Sequence, residues 1–144
     1  MTLETLTPRE ASIFACVCDT VVAPEPVLPS VRETDAVVFL DWWLARSPRL
    51  NRAGLRGLLY AAELAPRLLG FRHRLRSLAP SERGRALEAL QHSRFPHVRQ
   101  LVKLVKGVAF LSYYGDDGVM RRLGYDAEAN VRRGRELRAR EARP

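Results

Sequence analysis

The stretch HVRQLVKLVKGVAFLSYY, residues His97–Tyr114, determines the fold predicted for this chain. Its apolar residues recur at the spacing of one face of an α-helix. They are Val98, Leu101, Val102, Val105, Val108 and Ala109, with Ser112 closing the row. The basic side chains lie opposite: Arg99, Lys103 and Lys106. Leu104 and Leu111 widen the apolar face, so this helix is expected at the centre of a helical bundle.

Capping signals and prolines set the limits of the first predicted helix and of the arm that follows it. The sequence Thr7-Pro8-Arg9-Glu10 is a capping box, which opens a helix that ends before Pro24. Pro24, Pro26 and Pro29 lie close together, and proline lacks the backbone N–H that helices and sheets require. Residues 23–31 are therefore predicted to form an extended, polyproline-like arm.

Similar signals predict further helices through the rest of the chain. The predicted starts or caps are Thr34 or Asp35, Asn51, Pro80, Asp116 or Asp117, and Asp126. Breaks are expected at Pro48, Pro66, Gly70, Gly115 and Gly124. The predicted fold is all-α, a single compact helical domain of about six or seven helices over residues 1–130. The proline-rich arm lies near its N-terminus, and a basic, arginine-rich tail, helical or frayed, covers residues 131–144.

Length and composition agree with this fold. The chain has 144 residues, of which 47% are hydrophobic and 28% are charged, as expected for one globular domain. No apolar run approaches the ~20 residues that cross a bilayer; Ala36–Leu40, for example, is far shorter. The N-terminus shows neither the basic nor the apolar region of a signal peptide. This predicts a cytoplasmic protein, which would reach the periplasm only with an exported partner.

The net charge of +8 leaves two classes of partner open. It arises from 24 basic and 16 acidic side chains, and residues 131–144 hold six arginines against two glutamates. Such a tail can bind nucleic acid or an anionic surface. No aromatic side chain that could stack on bases is interleaved with these arginines. A solvated tail or a contact with an acidic partner is therefore favoured.

No pattern of residues predicts catalysis or cofactor binding by this chain. It lacks a glycine-rich nucleotide loop and a nucleophile elbow. His73, His92 and His97 lie in separate segments and are predicted to be exposed. Cys16 and Cys18 would point about 200° apart on a helix, so they are predicted to be reduced packing residues. No catalytic, cofactor-binding or metal-binding residue is expected, and a small stand-alone helical enzyme is kept only as a third hypothesis.

Two features have alternative interpretations. Asp19 lies near the C-terminus of the first helix, where a carboxylate opposes the helix dipole. Its side chain is either exposed to solvent or buried, and in the second case it would connect the helix to the arm. The segment Tyr113–Asp126 combines paired tyrosines, a helix stop, a short recapped helix and a final Gly-Tyr. It is either a helix corner packed by aromatic side chains or an exposed aromatic surface for a partner.

Two groups of motifs resemble one known family. The first is Cys18-Asp19-Thr20-Val21-Val22 followed by Pro24. The second is Phe110-Leu111-Ser112-Tyr113-Tyr114, then Val119-Met120 and Leu123-Gly124-Tyr125. Together they resemble the gluconate 2-dehydrogenase subunit 3 family, and the N-terminal region of long-chain alcohol oxidases is similar. The resemblance covers most of residues 6–126.

The resemblance implies a non-catalytic small subunit that binds a large FAD-containing oxidoreductase of the glucose–methanol–choline (GMC) type. The FAD would lie in that partner and not in this chain. Many relatives carry a twin-arginine export signal, which is missing here. Residues expected at structural or interface positions are Asp19, Tyr113, Tyr114, Gly124 and Tyr125, and we add Trp42 and Trp43 from the second helix. The alternative is a basic helical module that binds nucleic acid or an anionic surface.

Overall fold

Helices form nearly all of the regular structure. A computed structural model of the protein describes residues 3–22 and 27–141. The helices in these ranges are α1 (Pro8–Val22), α2 (Ala36–Arg46), α3 (Arg49–Leu68), α4 (Pro80–Gln91), α5 (Pro96–Tyr114), α6 (Asp117–Arg122) and α7 (Ala127–Glu141). Two short 3₁₀ turns, Val31–Glu33 and Leu75–Ser77, lie between them, and the described ranges contain no strand. The prediction of an all-α fold with about six or seven helices is confirmed.

Helix α5 lies at the centre of the bundle, as its sequence predicts. It packs against α1, α2, α3, α4 and α6. Its inner face consists of Val102, Val105, Ala109, Ser112 and Tyr113, all of which are buried. Because five elements cover this one helix, burial of its inner face contributes to the packing of most of the bundle.

The partner that α5 contacts most extensively is α1. The core residues of α1 are Ile13, Phe14, Val17 and Cys18. The Cys18 thiol donates to the carbonyl oxygen of Ala109 at 3.6 Å, and burial raises the pKa of this thiol to about 12. Cys16 is half-buried and burial also raises its pKa. Neither cysteine is paired in a disulfide within the described ranges; Cys18 is a core packing residue, as predicted, and Cys16 packs at the edge of the core.

Three of the predicted helix caps are present. At the start of α1, the Thr7 N–H donates to Glu10 Oε2 at 2.8 Å and the Glu10 N–H donates to Thr7 Oγ1 at 3.2 Å. Asp116 Oδ1 accepts the backbone N–H groups of the first turn of α6 at 2.8 and 3.0 Å. Asp126 Oδ1 accepts the N–H of Ala129 in α7 at 2.9 Å. Short polar side chains therefore satisfy N–H groups that a helix leaves unpaired.

The predicted limits of the third helix are wrong. Helix α3 begins at Arg49 and not after Asn51, and it continues through Pro66 to Leu68. Proline in the last turn removes only the bond to the carbonyl of Ala62, and the Pro66 ring is buried against the core. Burial of the ring thus compensates for a single lost hydrogen bond.

The arm and the tail differ in their packing. Residues 23–26 of the predicted arm lie outside the described ranges, while Pro29 is buried. Helix α7 begins at Ala127, ahead of the predicted tail boundary, and none of its residues is buried. It makes no extended contact with another described element. No helix in the described ranges is long and apolar enough to cross a membrane.

Candidate partner-binding surface

The outer side of α2 carries an aromatic stripe consisting of Phe39, Trp42 and Trp43. The opposite side of α2, which faces the core, consists of Ala36, Leu40, Asp41 and Leu44. The stripe residues follow each other at i, i+3 and i+4, so they share one face of the helix. Trp42 is 49% exposed and Trp43 is 38% exposed. Large apolar side chains exposed together in this way are typical of interaction surfaces.

Neighbouring side chains hold the ring of Trp42 in place. The Phe39 and Trp42 ring centroids are 6.3 Å apart. The Arg46 guanidinium lies 4.5 Å from the Trp42 ring centroid and donates a hydrogen bond to the Trp42 carbonyl oxygen. A cation placed over an aromatic face is attracted to it. Phe39 and Arg46 therefore both contact Trp42 within the stripe.

A second apolar surface lies on α5, on the side away from the core. This α5 outer face consists of Leu104, Gly107, Phe110, Leu111 and Tyr114. Leu104 is 51% exposed and Leu111 is 58% exposed. These leucines widen the apolar face of α5, as the sequence indicates, but they lie on its exposed side, because the surrounding helices cover only its inner side. The ring centroids of Phe110 and Tyr114 are 5.9 Å apart, so this surface too has ordered aromatic side chains.

The paired tyrosines have different environments. Tyr113 is fully buried, and its hydroxyl donates to the Pro29 carbonyl oxygen at 2.6 Å. Burial is the main cause that raises the pKa of Tyr113. Tyr114 lies edge-on to Tyr113, with ring centroids 5.2 Å apart, and is 39% exposed. Tyr113 is thus a structural residue that fastens the arm to α5, while Tyr114 belongs to the surface.

Gly124 and Tyr125 form the C-terminal cap of α6. Gly124 has φ = 77°, a left-handed conformation that favours glycine. The Tyr125 N–H donates to the Met120 carbonyl oxygen at 2.9 Å, and the Gly124 N–H donates to that of Arg121 at 3.0 Å. The Tyr125 side chain is 51% exposed. The final Gly-Tyr of the sequence therefore has a structural backbone role and presents one aromatic ring to solvent.

Asp19 is exposed, which agrees with the first of its two interpretations and not with a buried tie. It lines an open groove together with Ser12, Cys16, Arg32 and Arg83. His73, His92 and His97 are exposed as predicted. In the part of the chain that the structure describes, no three side chains of the metal-binding types converge.

Sequence reasoning missed Asp41, whose buried carboxylate holds the N-terminal segment. Its Oδ1 accepts the N–H groups of Thr5 and Leu6 at 2.9 and 2.6 Å, and Oδ2 accepts that of Glu4 at 2.7 Å. Burial alone would raise the pKa of this carboxyl, but the three N–H donors together hold it below its ordinary value. The sequence signal that could have revealed this role is the position of Asp41, an aspartate within the apolar second helix.

A second buried carboxylate, Glu63 of α3, joins three elements. Its Oε1 accepts the Arg76 Nε–H at 3.0 Å, and Oε2 accepts the Arg76 backbone N–H at 3.3 Å. Arg76 Nη1 in turn donates to Ser12 Oγ of α1 at 3.2 Å. Only 2% of the Glu63 side chain is exposed. These carboxylates each bind backbone or arginine donors, so they hold the fold together.

The chain matches no known protein-family model, and it has no significant similarity to a curated protein or to a solved structure.

Proposed function

We propose that this chain is a non-catalytic accessory subunit that binds and stabilises a large FAD-dependent oxidoreductase of the GMC type, acting on a sugar or alcohol. Two lines support the proposal. One is the resemblance of Cys18–Val22 and of Phe110–Tyr125 to the gluconate 2-dehydrogenase subunit 3 family. The other is an exposed surface whose composition suits a protein partner.

The observation that carries the proposal is the aromatic stripe of α2. Tryptophan and arginine are enriched among the residues that dominate binding energy at protein interfaces. Trp42 and Trp43 are both exposed, and Arg46 packs on the Trp42 ring. Their ordered arrangement reduces the entropy that would be lost on binding. The stripe is therefore the surface on which we place the large subunit.

Co-purification from the native host tests this assignment. An affinity-tagged chain should bring down a flavoprotein, recognised by its flavin absorbance. Replacing both Trp42 and Trp43 by alanine should weaken that association at least ~30-fold, as loss of about 2 kcal/mol at an interface would. Leu68→Ala is the matched control, since Leu68 is 87% exposed at the end of α3 that is farther along the chain from α2. Recovery of the chain without flavin, or equal recovery of the double variant, would contradict the proposal.

The second candidate function is binding to nucleic acid or another anionic surface, and α7 is the observation that favours it. None of its residues is buried, and it carries the exposed arginines Arg132, Arg133, Arg135, Arg138 and Arg140. The arginines spread over about 220° of the helix circumference, so about half could meet phosphates at once. An exposed helix of this kind can neutralise backbone phosphates without any further contact from the bundle.

Fluorescence anisotropy with duplex DNA at several salt concentrations tests the second candidate. If α7 binds phosphates, deleting residues 127–144 should reduce the slope of log K against log salt by about 2 to 3 and weaken binding more than ~10-fold. Arg67→Ala on α3 is the control for loss of one exposed arginine elsewhere. Equal DNA binding before and after the deletion would eliminate α7 as a phosphate-binding element.

A further inference from the structure

The apolar residues of the α5 outer face are arranged symmetrically about one glycine. Leu104 and Leu111 lie on either side of Gly107 at nearly equal distances along the helix, on the same flank. Because a two-fold axis relates each residue to its counterpart, such an arrangement is complementary to its own antiparallel copy. Leu104 of one helix would then contact Leu111 of the other, and Leu111 would contact Leu104.

Gly107 gives this face the shape that close helix packing requires. A Cβ added at Gly107 would meet no atom within 4 Å, so no other part of the described chain covers this position. With hydrogen in place of a side chain, two helix axes can approach closely at this point. The rings of Phe110 and Tyr114, both C-terminal to Gly107, extend the apolar contact on that side, while Lys103 shares the same face on the N-terminal side.

The side chains near the two ends of α5 differ in charge, the acidic one being supplied by the start of α6. Arg99 and Lys103 are exposed near its N-terminal end, and Asp117 is exposed just beyond its C-terminal end. An antiparallel pairing that places Leu104 against Leu111 of a second copy brings Arg99 to the level of the second copy's Asp117. The same register places Lys103 beside the Phe110 and Tyr114 rings of that copy, where a cation is attracted. A parallel pairing would bring like charges together at each end.

We propose that two copies of this chain associate through their α5 outer faces, antiparallel and two-fold symmetric about Gly107. This goes beyond the proposed function, since the large subunit is assigned to the α2 stripe and the second copy to α5. Complementary charges at the helix ends set the orientation, and the apolar face supplies the attraction.

Sedimentation of the isolated chain tests the association. The unmodified protein at tens of micromolar should sediment with twice the chain mass of 16.3 kDa. Gly107→Arg should produce the monomer, with the dissociation constant raised at least 100-fold. The control is Gly84→Arg, because Gly84 is also an exposed helical glycine with no atom within 4 Å of an added Cβ. This control should remain dimeric, and circular dichroism should show both variants folded.

Cysteine cross-linking tests the orientation. In a Cys16→Ser background, an oxidised mixture of the Leu104→Cys and Leu111→Cys chains should form covalent dimers, while each variant alone should form at least tenfold fewer. Cross-linking of each variant with itself would indicate parallel association and overturn the proposal. A monomeric unmodified chain would overturn it too. Neither experiment involves a flavoprotein, and Trp42→Ala should dimerise normally, so this proposal can fail while the proposed function stands.

Discussion

Replacing Glu63 by alanine is expected to lower the free energy of unfolding by about 3 kcal/mol. The change removes the acceptor of two hydrogen bonds from Arg76 and leaves that guanidinium against the bundle without its counter-charge. It also opens a cavity at a side chain that is only 2% exposed. Arg76 is 29% exposed, so partial solvation keeps the loss at the lower end of the range for broken buried pairs.

Urea denaturation followed by circular dichroism measures this loss. Glu128→Ala, at an exposed glutamate in the first turn of α7, is the control and should change the midpoint little. The double variant Glu63→Met, Arg76→Met should recover much of the stability, because no buried charge is left unpaired. A loss below about 1 kcal/mol for Glu63→Ala would mean that the pair contributes no more than an exposed one.

Asp41→Asn is expected to cost about 2 to 3 kcal/mol and to loosen residues 3–6. An asparagine can still accept two N–H bonds through its carbonyl oxygen, but its amide group would then face the Glu4 N–H, so two donors meet. Amide hydrogen exchange should become faster at residues 4–6. Urea denaturation should show the loss in the free energy of unfolding. Asp19→Asn, at an exposed carboxylate, is the matched control. Unchanged exchange at residues 4–6 would refute the role of Asp41 as an anchor.

The effect of Asp41 should depend on pH with a definite sign. The folded-state pKa of Asp41 is lowered below its ordinary value of 3.8, so the carboxylate contributes its full stability above that value. This contribution is lost as the pH falls through the lowered pKa. The difference in unfolding free energy between the unmodified protein and Asp41→Asn should therefore shrink below about pH 4. A difference that stays constant down to pH 2 would contradict the assignment.

The helices follow from the sequence because local signals specify them. The apolar period of α5, the Thr7–Glu10 capping box and the Asp116 cap act over a few residues, and all of them appear in the structure. Pro66 is the exception, since proline is a helix-breaking signal and yet this residue is buried inside α3. Local pattern alone could not show that this proline would be accommodated within α3.

The candidate surface could be predicted only in part. Helix α2 is apolar on both sides, so its periodicity does not show whether Trp42 or Leu40 faces the core. One step along α5 separates the buried Tyr113 from the exposed Tyr114. The partners of Asp41 are more than 30 residues away in the chain, and no spacing rule connects them. These features depend on how the helices pack, which a single sequence does not reveal.

The isolation of α7 gives the chain two regions that melt separately. A helix of 15 residues without extended tertiary contacts is held mainly by its own backbone bonds and its Asp126 cap, and such helices are marginal in water. Its opening therefore costs far less free energy than global unfolding of the bundle. A protease that cuts after arginine would trim this end while the remaining helices stay resistant. A ligand that orders α7 would have to offset the conformational entropy that the helix loses when it becomes ordered.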